Sequence, residues 1–448
     1  MTDLTEGSIL GKIVPFALPI IAGNILQQLY NVTDTLIVGK TLGVLRLAAL
    51  GASSSINFLM FGFVMGLTSG CAVIISQTYG AKDMDGVRRA VAAHIVIAAT
   101  FALTMTTLFL LGARPVLKLM RTPADVIDFS TAYITIIYQG ITVTMLYNLL
   151  SASLRAVGDS RTPLIFLLFS SALNIALDLL FIVVFRWDVQ GAAIATVLAQ
   201  FTSALLCCVY LRCRVPDLIP DRFSWRGVGP VVLKELRVGV PMGLQYTVLS
   251  AGMMILQSVV NGFGASAVAA MAIATKMHEL MSNPLTAMSI AVATYVAQNL
   301  GAGRYDRIIT GVHRSLLFTL CMAWVIGGTV FLFRDAIVGL FITGHQPEVM
   351  SYACRYLNWE CPGITAIAFL FTYRGAIQGF GMGSTVIIAG FIELGMRLLS
   401  SVVGSRIVGF TGICMAATLA WTFGSLFLIP VFYHHALRGS PGGRKAQA

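Results

Sequence analysis

The stretch LPIIAGNILQQLYNVTDTLIVGK, residues 18–40, is long enough to cross a membrane as a helix, and it carries one acid, Asp34, before Lys40. A helix rises 1.5 Å per residue, so about 20 apolar residues span the ~30 Å hydrocarbon core. A carboxylate inside such a run is costly and is kept where it faces water, a partner or a travelling ion. The same logic applies to Asp178 in NIALDLLFIVV, residues 174–184. Two intramembrane acids in apolar helices point to a polar route through the membrane.

Composition extends that reading to the whole chain. The 448 residues are 57% hydrophobic and 11% charged, with a mean hydropathy of +0.84. A soluble domain carries about 25% charged residues, so most of this chain must face lipid or other buried helices. Apolar runs predict twelve helices, over 13–39, 48–79, 90–112, 129–154, 164–185, 192–211, 238–263, 267–300, 312–333, 352–378, 386–407 and 410–436. The longest polar segment, Arg212 to Leu236, is too short for a soluble domain.

The net charge of +11 does not indicate nucleic-acid binding, because most Lys and Arg fall in the loops after even-numbered helices and in the tails. Lys82, Arg88 and Arg89 follow helix 2, the segment Arg212–Arg237 follows helix 6, and Arg304, Arg307 and Arg314 follow helix 8. Basic loops mark the cytoplasmic face, which places both termini there. Arg114, Lys118 and Arg121 go against the trend. The N-terminus MTDLTEGSILGK lacks the basic region of a cleaved signal peptide, so helix 1 is expected to direct insertion. The eight cysteines form no C-x-x-C pair and lie mostly in apolar runs, as small buried side chains do; neither a disulfide nor a metal site is assigned to them.

The chain repeats itself. LPIIAGNILQQLYN (18–31) and SQTYGAKDMD (76–85) recur as VPMGLQYTVLSAGM (240–253) and AQNLGAGRYD (297–306). LRAVGDSRTP (154–163) recurs as IQGFGMGSTV (377–386). Each half has six helices, so the copies insert in the same orientation, related by a pseudo-two-fold axis along the membrane normal, with substrate sites expected at the repeat interface. This gives an all-α polytopic fold with an N-terminal lobe over 1–211, a basic cytoplasmic linker over 212–236 and a C-terminal lobe over 237–448. The acids are not repeated: Asp34 aligns with Leu256 or Gln257, and Asp178 with Ser401. Pro19, Pro241 and Pro362 are candidate bends, and the helix glycines, Gly66 and Gly70 among them, are read as close-packing positions.

QQLYNVTDTLIVG, the paired loops SQTYGAKD and AQNLGAGRYD, LRAVGDSRTP and NIALD, in that order, resemble the multidrug and toxic compound extrusion (MATE) family. The similarity runs from about residue 8 to 436 and is greatest to the prokaryotic branch whose ion site lies in the N-terminal lobe. The resemblance implies a bacterial or archaeal plasma-membrane antiporter exporting cationic or amphipathic small molecules in exchange for Na⁺ or H⁺. It needs no other cofactor and no nucleotide, and it is expected to be a monomer among membrane lipids. The family's acid in helix 1 matches Asp34, its Asn and Asp in helix 5 match Asn174 and Asp178, its helix 6 Thr matches Thr196, and a helix 4 Asn matches Asn148. Other branches carry an acid in helix 7; over 238–263 only Gln245 and Gln257 are candidates there, and neither titrates.

Depth supports this set independently. Asp34, Asp178 and Thr196 each lie roughly 7–11 Å below the outer boundary, with Asn174 one turn below Asp178 on the same face; Asn148 lies deeper. Carboxylates, an amide and a hydroxyl at one level suit a hard cation such as Na⁺, or a proton shared by two carboxyl groups. The alternative for Asp178 is a bond to neighbouring helices. A second polar cluster, Lys276, His278 and Glu279 on helix 8 with Glu393 and Arg397 on helix 11, reads as a neutralised ion-pair network or, alternatively, as a substrate or proton site. Glu360, before Pro362, is a candidate for the outer cavity.

Three rival classes remain. VGKT at 38–41 resembles a phosphate-binding loop, but G-x-x-x-x-G-K-[ST] requires glycine where Asp34 stands. A lipid-linked oligosaccharide flippase of the same plan is expected to carry more cations in its cavity. An integral-membrane enzyme needs a polar constellation at the bilayer surface, which the sequence does not offer.

Overall fold

The computed structural model describes residues 2–120, 122–342 and 346–439. Arg121 and the basic tail beyond residue 439, both part of the charge reading, lie outside the described residues. These are almost entirely helical, with no strand among them. Helices 1, 2 and 3 are Ile9–Leu42, Val44–Gly80 and Met84–Leu119. Helix 4 is a pair, Ile127–Gln139 and Ile141–Ala156, bent by 47°. Helix 5 runs Arg161–Asp178 and widens into a π turn, Leu179–Val184; helix 6 is Asp188–Arg214. Helices 7, 8 and 9 are Val228–Asn261, Ala265–Gly301 and Tyr305–Leu332. Helix 10 is Pro347–Gly379 and helix 11 runs Gly383–Leu398 into a second π turn, Leu399–Gly404, and Ser405–Val408. Helix 12 is Phe410–Gly439.

Among the described residues ten of these are long and apolar enough to cross a membrane as they stand, and the bent helix 4 makes eleven. Helix 10 has the length, 33 residues, but carries Glu348, Arg355, Glu360 and Arg374. Most helices begin or end beyond their apolar runs, because polar residues at the membrane surface continue the same backbone bonds. The repeat is visible in the backbone. Gly43 and Gly264 turn with φ of 83° and 91°, and Gly158 and Gly381 with 87° and 79°. The turn after helix 2 places Lys82 at φ 58° where the second copy has Gly303 at 70°.

By internal contacts the chain forms two compact units, one of Met1–Asp3 with Leu18–Gly243, the other of Leu4–Ala17 with Leu244–Ala448. These bounds differ from the expected division at 211 and 237, for reasons that packing makes plain. In the first unit, Gly66 and Gly70 of helix 2 meet Gly239 and Gly243 of helix 7. A Cβ on Gly70 would lie 2.5 Å from Gly239 Cα, and one on Gly66 would lie 2.5 Å from the Met242 carbonyl. Small residues four apart let two helix backbones approach closely, and they bind the start of helix 7 to the first unit. In the second unit the backbone of Leu4 is held by side chains of the AQNLGAGRYD loop. Its N–H donates to Gln298 Oε1 at 3.1 Å, and its carbonyl accepts from Asn299 Nδ2 at 3.2 Å. Arg304 reaches the Thr5 carbonyl at 2.7 Å.

The expected linker is also partly structured. Arg88 contacts the Asp217 carboxylate at 3.3 Å, and Asp221 accepts from the Ser224 hydroxyl at 2.7 Å and its amide at 2.8 Å. Those bonds hold the Asp221 carboxyl below the usual carboxylate range.

The glycine contact yields a stability prediction. Gly70→Val should lower the thermal midpoint of the purified protein by the equivalent of about 1–3 kcal/mol, the cost of overpacking. Gly112→Ala, whose Cβ meets nothing within 4 Å, should be neutral or slightly stabilising. Equal midpoints for the two variants would show that the helix 2–helix 7 approach carries no stability.

Candidate functional site

Asp34 and Asp178 come together in the first unit. Asp34 is 9% exposed and Asp178 is fully enclosed, and their carboxyl groups lie within interaction reach of each other. Two bare carboxylates do not sit in such contact away from water, because their repulsion is weakly screened there. A proton or a small cation between their oxygens would relieve that repulsion. Asp34 Oδ1 is buried with no hydrogen-bond partner, which leaves an acceptor to spare.

Local structure explains the placement. Asp178 is the last residue of the regular part of helix 5, directly before the π turn. There the Phe185 N–H bonds the Leu180 carbonyl, five residues back, at 2.9 Å. A π turn widens a helix by one residue and re-aims its neighbours, and such turns are common at functional positions. Phe181 stacks on Trp187 at 4.8 Å, just beyond the π turn. The second unit also has a π turn, three residues earlier in the repeat, and Ser401, the counterpart of Asp178, lies within it, its hydroxyl bonding its own helix at the Arg397 carbonyl at 2.7 Å. The scaffold is thus duplicated and the acids are not.

Asn174, 1% exposed, lies one turn from Asp178. Thr196 of helix 6 joins the site through Tyr30, whose hydroxyl lies 3.3 Å from Thr196 Oγ1. Tyr30 and Tyr133 were not singled out in the sequence, yet both lie within electrostatic reach of the two carboxyl groups. Tyr30 was findable, being one turn before Asp34 on the same face; Tyr133 depends on how helix 4 is rotated, which spacing does not encode. Asn148 is spent locally, its amide donating to the Thr144 carbonyl at 2.8 Å.

The second polar cluster is arranged differently from the expected network of Lys276, Glu279, Glu393 and Arg397. Glu393 is paired with Arg374 of helix 10. Lys276 is paired with Glu279 on its own helix at 2.9 Å, and both side chains are open, 60% and 38%. Charges that exposed within a span are costly against lipid. Glu360, 1% exposed, is bonded to His278 Nδ1 at 2.6 Å, and the His278 ring stacks on Trp421. Depth placed these groups at similar levels, but helix rotation decided the partners. Helix 7 also needs correcting: it begins ten residues before the apolar run and includes Glu235, which is fully enclosed, so Gln245 and Gln257 are not its only candidates for a coupling group.

Comparison with known proteins bears on the whole chain. The sequence model of the MatE family matches residues 19–180 and 241–403, one match in each half. The chain is 30% identical over 426 residues to "Probable multidrug resistance protein YpnP" of Bacillus subtilis, covering 94% of each. It is 22% identical over 427 residues to "Multidrug export protein MepA" of Staphylococcus aureus, covering 93% of this chain and 92% of that one. Among solved structures, an outward-facing multidrug resistance MATE family transporter of the MOP superfamily gives a TM-score of 0.89 at 21% identity over 97% of both chains. A MOP superfamily transporter from Pyrococcus furiosus gives 0.90 at 21% over 98% of both. At those identities the structures speak for the fold. The two family matches, together with the Bacillus relative along nearly the full length, establish that the chain belongs to the multidrug and toxic compound extrusion (MATE) family of membrane transporters.

Proposed function

We propose that this chain is a secondary multidrug exporter of a bacterial or archaeal plasma membrane, exchanging cationic or amphipathic small molecules for H⁺ or Na⁺ by alternating access. The observation that carries this reading is the enclosed Asp34–Asp178 pair, with Asn174, Tyr30 and Thr196 around it. Such a pair binds one small cation, and its occupancy can bias the protein toward one arrangement only by as much as the cation's affinity differs between arrangements. The names of the relatives support small-molecule export, and an acidic membrane interior in the first unit favours positively charged cargo.

Purified protein in liposomes should export a cationic dye when a proton or sodium gradient is imposed without ATP. Dye movement that required ATP and ignored both gradients would overturn the proposal. Topology is tested separately. Cysteines introduced at Lys82 and Arg304, in a background lacking the exposed Cys213 and Cys321, should both react with an impermeant maleimide from the cytoplasmic side only. Labelling from opposite sides would refute six spans per half.

A further inference from the structure

Glu235 is an acid that the coupling site does not use and that the packing leaves without a counter-charge. It lies near the start of helix 7, in the first unit, and its side chain is fully enclosed. Neither carboxyl oxygen has a hydrogen-bond partner. The ionisable groups within its reach are Cys71 of helix 2 and Lys234, the preceding residue. Lys234 is exposed, so its ammonium stays with solvent, and the Cys71 thiol lies 3.9 Å from the Glu235 backbone carbonyl. Among the described residues no histidine, arginine or second carboxylate comes within that reach. At this level of the two helices Leu67, Cys71 and Val238 belong to the apolar core of the unit.

Its position ties the acid to a helix contact. Gly239 follows one turn along helix 7, on the same face. A Cβ there would lie 2.8 Å from the Leu67 carbonyl and 3.0 Å from Cys71 Sγ. Helices 2 and 7 therefore meet backbone to backbone beside Glu235, and water reaches the carboxyl only if the backbones part. A carboxylate with neither counter-charge nor hydrogen bond is strongly disfavoured in such a place, whereas the neutral acid carries a much smaller penalty. Ionisation of Glu235 is thus set against the helix contact.

We propose that Glu235 is a second proton-binding site of the first unit: it carries a proton while helices 2 and 7 are in contact beside it, and releases that proton when this end of the contact opens to water. The closed contact then binds one proton more than the open one. Lower pH favours closure and higher pH favours opening, with the ratio of the two changing by up to about tenfold per pH unit. Cys71 reports the same step, because it is enclosed in the closed contact and reachable in the open one. The site shares no residue with the Asp34–Asp178 pair and does not rest on that reading.

The test reads thiol reactivity in the full-length purified protein. Modification of Cys71 by N-ethylmaleimide is followed by mass spectrometry from neutral to alkaline pH, as a ratio to Cys207, a buried thiol on helix 6 of the same unit. The ratio cancels the general rise of thiolate with pH and any opening of the whole unit. It should climb with pH in the wild type, by up to about tenfold per unit. It should stay flat in Glu235→Gln, which keeps the shape and removes the titrating group. Glu235→Leu, neutral and apolar, should be flat as well and replaces the amide if that variant does not fold. Asp34→Asn should climb as the wild type does. A flat ratio in the wild type overturns the proposal, and so does a wild-type climb in either neutral Glu235 variant. A climb lost in Asp34→Asn would assign the titration to the coupling pair and overturn it equally. Gradient-driven export enters none of these measurements, so the failure of this proposal and that of the coupling reading are separable.

Discussion

Asp34→Asn and Asp178→Asn should each reach the membrane in normal amounts and lose most gradient-driven efflux, by roughly ten- to a hundredfold. The double variant should be little worse than either single one, as groups acting as a unit are strongly non-additive. Asparagine keeps the shape of the side chain and can still hydrogen-bond the remaining carboxyl group, so the contact between helices 1 and 5 survives. What it removes is the capacity of the pair to hold a cation and to release it. Tyr30→Phe provides the comparison: it deletes the 3.3 Å contact to Thr196 Oγ1 without touching either carboxyl, and one lost neutral hydrogen bond is worth about 0.5–1.5 kcal/mol. Its efflux should fall by no more than about tenfold. Proteoliposome efflux under an imposed gradient, at matched protein content, measures all four variants. Wild-type rates in Asp34→Asn would show that the carboxylate is idle, and coupling would then have to move to Glu360 or Glu393 in the second unit.

Much of this site was legible because helix geometry is rigid along its axis. Twelve spans follow from apolar runs, since a membrane admits little else, and residues counted from a helix end give depth, which placed Asp34 and Asp178 at one level. Asn174 and Tyr30 follow from the one-turn spacing on each helix. Rotation about the axis is set by packing between helices, and here the reading failed. It put Lys276 and Glu279 with Glu393 and Arg397, whereas Glu393 took Arg374 from helix 10, a residue that spacing gave no reason to choose. Helix ends were the other weak point. Glu235 was missed because helix 7 continues ten residues beyond its apolar run, through a polar stretch that reads as linker.

Glu393→Leu should destabilise the protein more than Arg374→Leu, although each removes one member of the same ion pair. Removing one partner of a buried pair costs about 3–5 kcal/mol when the other is left uncompensated. Glu393→Leu reaches that range, because it leaves Arg374 and Arg397, 7% and 5% exposed, without the acid that stands between them. Arg374→Leu leaves Glu393 within electrostatic reach of Arg397, which can take over as its partner, so the cost should be about 1–3 kcal/mol. The double variant removes both members of the pair together and leaves neither charge without its partner, so it should fall within about 2 kcal/mol of the wild type. Lys276→Ala, at an exposed pair, should change stability by less than about 1 kcal/mol. Thermal midpoints in detergent rank the series. An Arg374→Leu variant as unstable as Glu393→Leu would mean that Arg397 cannot serve Glu393, and that some other group already balances its charge.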